Sequence, residues 1–229
     1  MIHRSCGWFL VLCVLFTAAA GVFGSSETVG PARPAQPVPT PIPDQEKMAK
    51  AEYRKLLDLQ AALKKIPRER YDREPAKSFF RANEKLITYS EPAAEFYVRS
   101  ELFWELRTQY AALPIAEEIA WTAAQNPLPG ECEGYVNCIL YVVNSTDAKY
   151  LKFYPNGKYG DRALKQVIET LAAMADPEDR TNYTFPTDEL DRAELKKLLA
   201  DLTSVLSAVS HPEGPRALLQ VRKIGDAFK

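Results

Sequence analysis

The stretch YVNCILYVVNSTDAKYLKFYPNGKYGDRALKQVIETLAAMA, residues 135–175, decides the fold class of this chain. Its first part places six residues on one helical face: Tyr135, Ile139, Val142, Thr146, Tyr150 and Phe153. Its second part repeats apolar residues at three- and four-residue steps: Ala163, Leu164, Val167, Ile168, Leu171 and Met174. Two amphipathic segments joined by a short turn predict an antiparallel helical hairpin. Residues 135–143 are also rich in strand formers, so a buried strand is the alternative there.

The turn between the two segments is Tyr154-Pro155-Asn156-Gly157. Proline stops the first helix, and Gly157 is expected to supply a left-handed turn residue. Around this turn, the segment YLKFYPNGKYGDRALKQ (150–166) resembles the tetratricopeptide-like units of bacterial envelope proteins. The resemblance covers a single unit, and it implies a helical hairpin in a protein-binding scaffold without catalytic activity.

Amphipathic patterns on both sides of this stretch predict a single all-α domain over residues 44–229. An apolar stripe that includes Met48 predicts a helix over 44–66, and Asp188 is placed to cap a later helix. Two short runs rich in β-branched and aromatic residues predict one small β-hairpin over 86–98, with an irregular turn as the alternative. The predicted fold is a bundle of antiparallel helical hairpins that is tetratricopeptide-like in part.

The N-terminal residues predict an export signal followed by a spacer. Residues 1–24 combine Arg4, an apolar run and terminal small residues, which is the pattern of a secretory signal peptide. An uncleaved membrane anchor is the alternative, because the run from Gly7 to Gly24 is at the short end for spanning a bilayer. Residues 25–43 contain six prolines and predict an extended linker. We therefore expect a secreted or periplasmic protein.

The composition is that of a globular protein with few groups that titrate near neutral pH. Of 229 residues, 46% are hydrophobic and 26% are charged, and the net charge is −1 at pH 7. No long basic block is present, so nucleic acid is not expected as a partner. Histidine occurs only at His3 and His211, so neither a cofactor nor a metal is expected. His211 lies in the sequence His-Pro-Glu-Gly-Pro and is expected to serve a turn.

The close pair Cys132 and Cys138 predicts a structural disulfide in an exported protein. Closing so short a loop would stabilise the fold by about 2 kcal/mol in the chain-entropy model. A redox-active pair is not favoured, because the spacing is not Cys-x-x-Cys. A zinc site is not favoured either, because after removal of residues 1–24 His211 is the one further histidine or cysteine that could join.

Aromatic residues concentrate between residues 79 and 121 and supply the candidate binding residues. The candidates are Phe96, Tyr97, Phe103, Trp104 and Trp121. Tyrosine and tryptophan favour interfaces, so the cluster could line a groove for a peptide or another ligand. Packing in the core is the alternative, and the exposure of these side chains separates the two.

The function expected from the sequence is a non-enzymatic scaffold that binds another envelope or secreted protein. One alternative is a cell-wall-acting glycoside hydrolase with a single catalytic Glu, and another is a binder of a small apolar ligand between helices. The candidate carboxylates are Glu117 and Glu118 on one helix and Glu131 and Glu133 beside Cys132. Solvated side chains are expected there, because neighbours in sequence do not face each other across a cleft.

Overall fold

A computed structural model of the chain describes residues 43–227. The predicted signal peptide (1–24), and the predicted linker up to the residue before Pro43, lie outside the described residues. The helices are α1 (Pro43–Leu63), α2 (Ala76–Ala82), α3 (Ser100–Gln109), α4 (Ile115–Ala124), α5 (Val136–Ser145), α6 (Asp147–Phe153), α7 (Gly160–Ala175), α8 (Glu189–Ala208) and α9 (Gly214–Asp226). The strands are β1 (Ile87–Ser90) and β2 (Glu95–Val98), and short 3-10 helices cover Arg68–Arg70 and Asp179–Asn182. The prediction of an all-α protein with one small β-hairpin is confirmed.

The helices pack around one continuous core. α3 lies on α4, α6 on α7, α7 on α9, α5 on α8 and α8 on α9. The largest fully buried side chains come from α3 through α9 and include Phe103, Ile119, Tyr150, Leu171, Leu202 and Ile224. In the part of the chain that the structure describes, no helix is long and apolar enough to cross a membrane.

The β-hairpin forms where the sequence predicts it. β1 and β2 are antiparallel, with Tyr89 opposite Phe96 and Thr88 opposite Tyr97. β2 packs against α1, so the hairpin is held on the first helix of the domain. A two-stranded sheet is marginal by itself, and this support explains how it persists.

The buried stripe of α1 begins one residue later than the sequence predicts. Met48 is 54% exposed, whereas Ala49 is fully buried. Tyr53 on the same helix is buried and shares a hydrogen bond of 2.6 Å with the hydroxyl of Thr122 on α4. A small alanine faces the core because the helices approach closely there, and the larger methionine is left outside.

The single helix predicted over 135–153 is two helices that meet at Thr146. The side chains of Ser145 and Thr146 both bond back to the Val142 carbonyl, at 3.0 and 2.7 Å. Hydroxyl groups that bond back in this way compete with the helical backbone pattern and favour a break. The alternative of a strand over 135–143 is wrong, because these residues are helical from Val136 onward.

The buried face of α5 is also displaced by one residue from the predicted face. Val136, Leu140 and Val143 are buried, whereas Val142 is 37% exposed. Asn137 accounts for the displacement, because its buried amide donates to the backbone carbonyl of Asp191 on α8 at 2.8 Å. A polar residue on a buried face misleads a prediction that counts only apolar side chains.

Candidate functional site

Five aromatic side chains meet beside the β-hairpin and form what we call the hairpin surface: Tyr71, Phe79, Phe80, Tyr89 and Phe96. Phe96 lies at its centre, stacked on Phe80 with ring centroids 4.2 Å apart. The rings of Tyr71 and Tyr89 also contact Phe96, with ring centroids 5.3 and 5.0 Å from its own. Tyr89 is 44% exposed and the other four are half-buried, so the cluster lies where the core meets the surface, with Phe79, Phe80 and Phe96 packed against the core.

A polar group adjoins the hairpin surface. Arg68 Nη2 donates to Glu95 Oε1 at 2.7 Å, and the Tyr97 hydroxyl donates to Glu95 Oε2 at 3.2 Å. The bond from Arg68, supported by the one from Tyr97, lowers the pKa of the Glu95 carboxyl below its ordinary value. Burial raises the pKa of Tyr97, and its bond to the carboxylate adds to this. The Arg68 side chain and the rings of Tyr71 and Phe96 line the same groove.

Two grooves open on either side of Ile66 and Pro67, which follow α1. One has a volume of about 380 Å³ and is lined by Phe96 and Tyr97 together with the polar groups just described. The other has a volume of about 550 Å³, lies between α1 and α2, and includes Phe79. Aromatic side chains and arginine are enriched at protein-binding surfaces.

Three of the five aromatic residues proposed for binding belong to the core. Phe103 is fully buried, and Trp104 and Trp121 are each 8% exposed. Trp121 stacks on Tyr159, with centroids 4.8 Å apart. The two candidates that reach the surface are Phe96 and Tyr97, both on β2. Strand β2 places them outside because it forms the edge of the domain, whereas α3 and α4 lie between other elements.

The turn Tyr154-Pro155-Asn156-Gly157 ends α6, as predicted, but the role expected of its glycine is wrong. Among the described glycines, Gly134 is the one with a positive φ, and Gly157 is not left-handed. Gly157 is instead required by close approach, because a Cβ there would lie 2.6 Å from Tyr150 Oη and 2.7 Å from Tyr154 Cβ.

Glu117, one of the residues that crowd Gly157, has a different environment from the one that the sequence predicts. Glu117 on α4 was expected to be solvated, but its Oε1 accepts a hydrogen bond of 2.6 Å from the Tyr150 hydroxyl. The same oxygen accepts from the backbone N–H of Lys158, and Tyr150 in turn accepts from the Tyr159 N–H at 3.0 Å. Burial, followed by the bond to Glu117, raises the pKa of Tyr150. No local sequence signal joins residues 117 and 150.

Cys132 and Cys138 form a disulfide with Cα atoms 5.4 Å apart, which confirms the predicted pairing. The chain between them turns through Glu133 and Gly134, which have φ values of 45° and 76°. The Gly134 carbonyl accepts from the backbone N–H of Thr184 at 2.9 Å. The disulfide loop therefore ties the start of α5 to the segment that leads into α8.

Asp147 at the start of α6 is a carboxylate held inside the packing of α4, α6 and α7. Gln125 Nε2 lies 3.2 Å from both Asp147 Oδ1 and Gln166 Oε1. Burial raises the pKa of Asp147 to about 6, against the opposing effects of the Gln125 bond and the Arg162 charge. A glycoside hydrolase places such an acid at a cleft, but Asp147 lines neither groove beside the hairpin.

The raised pKa of Asp147 predicts that the contribution of this residue to stability falls with rising pH. Asp147 keeps its proton up to about pH 6 in the folded chain, whereas the ordinary pKa of an aspartate is 3.8, so its contribution to the free energy of unfolding decreases between about pH 4 and 6. We expect Asp147→Asn to gain about 1–2 kcal/mol at pH 7, allowing for solvent screening, and to change little at pH 3.5.

Urea denaturation at a series of pH values measures this effect. The control is Asp201→Asn, an exposed position on α8 with the same change in net charge. We expect this control to retain the pH profile of the wild type. A profile of Asp147→Asn that parallels the wild type between pH 4 and 6 would contradict the assignment.

His211 serves the turn between α8 and α9, as predicted. Its Nδ1 accepts from the backbone N–H of Glu213 at 3.1 Å, and its Nε2 faces Asp161 Oδ1 at 3.5 Å. Within residues 43–227, no group of three or more His, Cys, Asp or Glu side chains is arranged to hold a metal ion.

No protein-family model, curated protein or solved structure matches this chain.

Proposed function

We propose that this protein is an exported, non-enzymatic helical scaffold that binds another envelope or secreted protein through the hairpin surface. The observation that carries the proposal is the packing of Phe96 between Phe80, Tyr71 and Tyr89 at the surface of the domain. Aromatic side chains lose little conformational entropy on binding and bury much area, so they are effective anchors at interfaces.

The surroundings of Phe96 support a binding role. Arg68 is held by Glu95 beside the rings, and arginine is enriched at interfaces because its planar group makes several directed hydrogen bonds. Two of the rings, Tyr89 and Phe96, are carried by a hairpin that packs on α1, which supports a surface formed before a partner arrives. Such preorganisation reduces the entropic cost of association.

The proposal assigns no catalytic step to the chain. Glu117, a candidate for the single acid of a hydrolase, has an oxygen bonded to Tyr150 and to the Lys158 backbone. The tetratricopeptide-like character of residues 150–166 belongs to the same proposal, as does a tether formed by residues 25–43.

Export predicts that the mature N-terminus lies beyond residue 24, which N-terminal sequencing of protein outside the cytoplasm can check.

Photo-crosslinking in the native cell tests the binding surface. A photoreactive phenylalanine analogue at position 89 is expected to give one discrete adduct with a second protein. The matched control is the same analogue at position 141, where the native tyrosine is 62% exposed on α5. An equal yield of adduct at both positions, or none at position 89, would count against the hairpin surface.

A further inference from the structure

The outer side of the α8–α9 pair carries a groove of about 640 Å³. On α8, its lining residues recur at the steps of one helical face: Arg192, Leu195, Lys196, Leu199, Ala200 and Thr203. The span from Arg192 to Thr203 corresponds to about 17 Å at 1.5 Å per residue. An elongated groove with this periodicity fits the ridge of another helix better than a compact small molecule.

The floor of the groove is apolar and its middle is small. Leu195 and Val221 are buried, and Leu199 between them is half-buried. Ala200 on α8 and Gly225 on α9 line the groove without long side chains. Small residues at such positions let a third helix approach closely, with its larger apolar side chains against the leucines.

The rim of the groove is positively charged. Arg192, Lys196 and Arg222 are exposed, and none of them forms a salt bridge within the described residues. Arg192 Nε donates to the Pro186 carbonyl at 3.4 Å. This acceptor is neutral, so the positive charge of Arg192 has no carboxylate partner among residues 43–227. The acid that lines the groove, Asp226, has an interaction of its own. Complementary charge on an occupant would therefore be negative.

We propose that the α8–α9 groove binds an acidic amphipathic helix of a partner protein, which packs as a third helix on α8 and α9. Its leucine-like side chains lie on the apolar floor, and its carboxylates face the three cations of the rim. This groove and the two grooves beside the hairpin share no lining residue, so this proposal and the proposed function can fail independently.

Fluorescence anisotropy with a defined probe tests the groove. The probe is a labelled peptide of about 18 residues with Leu at three- and four-residue steps and Glu beside them, long enough for partial helicity. The matched control peptide carries Lys in place of every Glu. We expect the Glu peptide to bind at least about ten-fold more tightly than the Lys peptide. This difference in affinity should become smaller at high salt, because salt screens the charges.

Two variants assign the binding to this groove. Gly225→Gln fills its middle, and the fold accepts it because a Cβ there would lie an ordinary 3.7 Å from Leu199 Cδ1. Glutamine also favours a helix more than glycine does, so the melting temperature should not fall. We expect this variant, and the double variant Lys196→Glu/Arg222→Glu, each to weaken binding at least about ten-fold.

The control for charge is Lys197→Glu/Lys223→Glu, which changes the net charge equally at exposed positions that do not line the groove. It should keep most of the affinity. Equal binding of both peptides, or full binding by Gly225→Gln, overturns the proposal. A dimer of the protein that Gly225→Gln abolishes would assign the groove to a second copy. Binding of phosphatidylglycerol vesicles without the peptide would assign it to a membrane, and either result also overturns the proposal.

Discussion

Gly157→Ala is expected to lower the free energy of unfolding by about 3 kcal/mol, because the new methyl group overpacks a crowded, half-buried site and disturbs its hydrogen bonds. The added Cβ would lie 2.7 Å from Tyr154 Cβ, which belongs to a rigid part of the side chain. It would also press on the Tyr150 hydroxyl, whose bonds to Glu117 and to the Tyr159 backbone would have to lengthen. Neither of these two contacts can relax at low cost, because the Tyr154 Cβ is fixed to the backbone and the Tyr150 hydroxyl is held by its hydrogen bonds.

Urea denaturation followed by far-UV circular dichroism measures this loss. The matched control is Gly130→Ala, because a Cβ at Gly130 has no atom within 4 Å. We expect this control to change stability by less than about 1 kcal/mol, with the reduced freedom of the unfolded chain as the main effect. Equal stability of Gly157→Ala and the control would show that the turn has room for a side chain.

Phe103→Ala is expected to destabilise the protein by about 3–5 kcal/mol, the range for a fully buried phenylalanine. Phe103 has no exposed surface and meets Tyr53 edge to face with centroids 6.4 Å apart. Its removal leaves a cavity between α1, α3 and α4 that the surrounding helices fill only in part, because β2 and α6 hold them in place.

The comparison for Phe103 is Tyr89→Ala on the hairpin surface. Tyr89 is 44% exposed and contacts Phe96 with centroids 5.0 Å apart, so we expect a loss of about 1 kcal/mol or less. Thermal denaturation of the two variants side by side gives the contrast. Similar losses at both positions would contradict the division of the aromatic residues into a core set and a surface set.

Those parts of the structure that depend on nearby residues could be predicted from the sequence. Asp188 caps α8 by accepting from the backbone N–H of Asp191 at 2.9 Å, three residues away. Cys132 and Cys138 are close enough in sequence for one loop to join them. The runs that form β1 and β2 are separated by a proline-containing turn, and their register follows from it.

The candidate site was less predictable, because aromatic residues look alike in sequence whether they are buried or exposed. Phe96 and Phe103 are seven positions apart, yet one lies at the surface and the other in the core. The difference depends on whether another helix or strand packs over the side chain. Tyr71, which completes the hairpin surface, lies in a charged loop where no apolar pattern marks it.

The sequence by itself determined the helical class of the domain, the small hairpin, the disulfide and the capping of α8, since each follows from side chains a few residues apart. The tertiary structure alone decided that Gly157 is needed for space and that Glu117 bonds to Tyr150. It also decided which aromatic residues are exposed. The bond from Tyr150 to Glu117, whose oxygen also crowds Gly157, joins residues 33 positions apart, and such a contact exists only after the helices have packed.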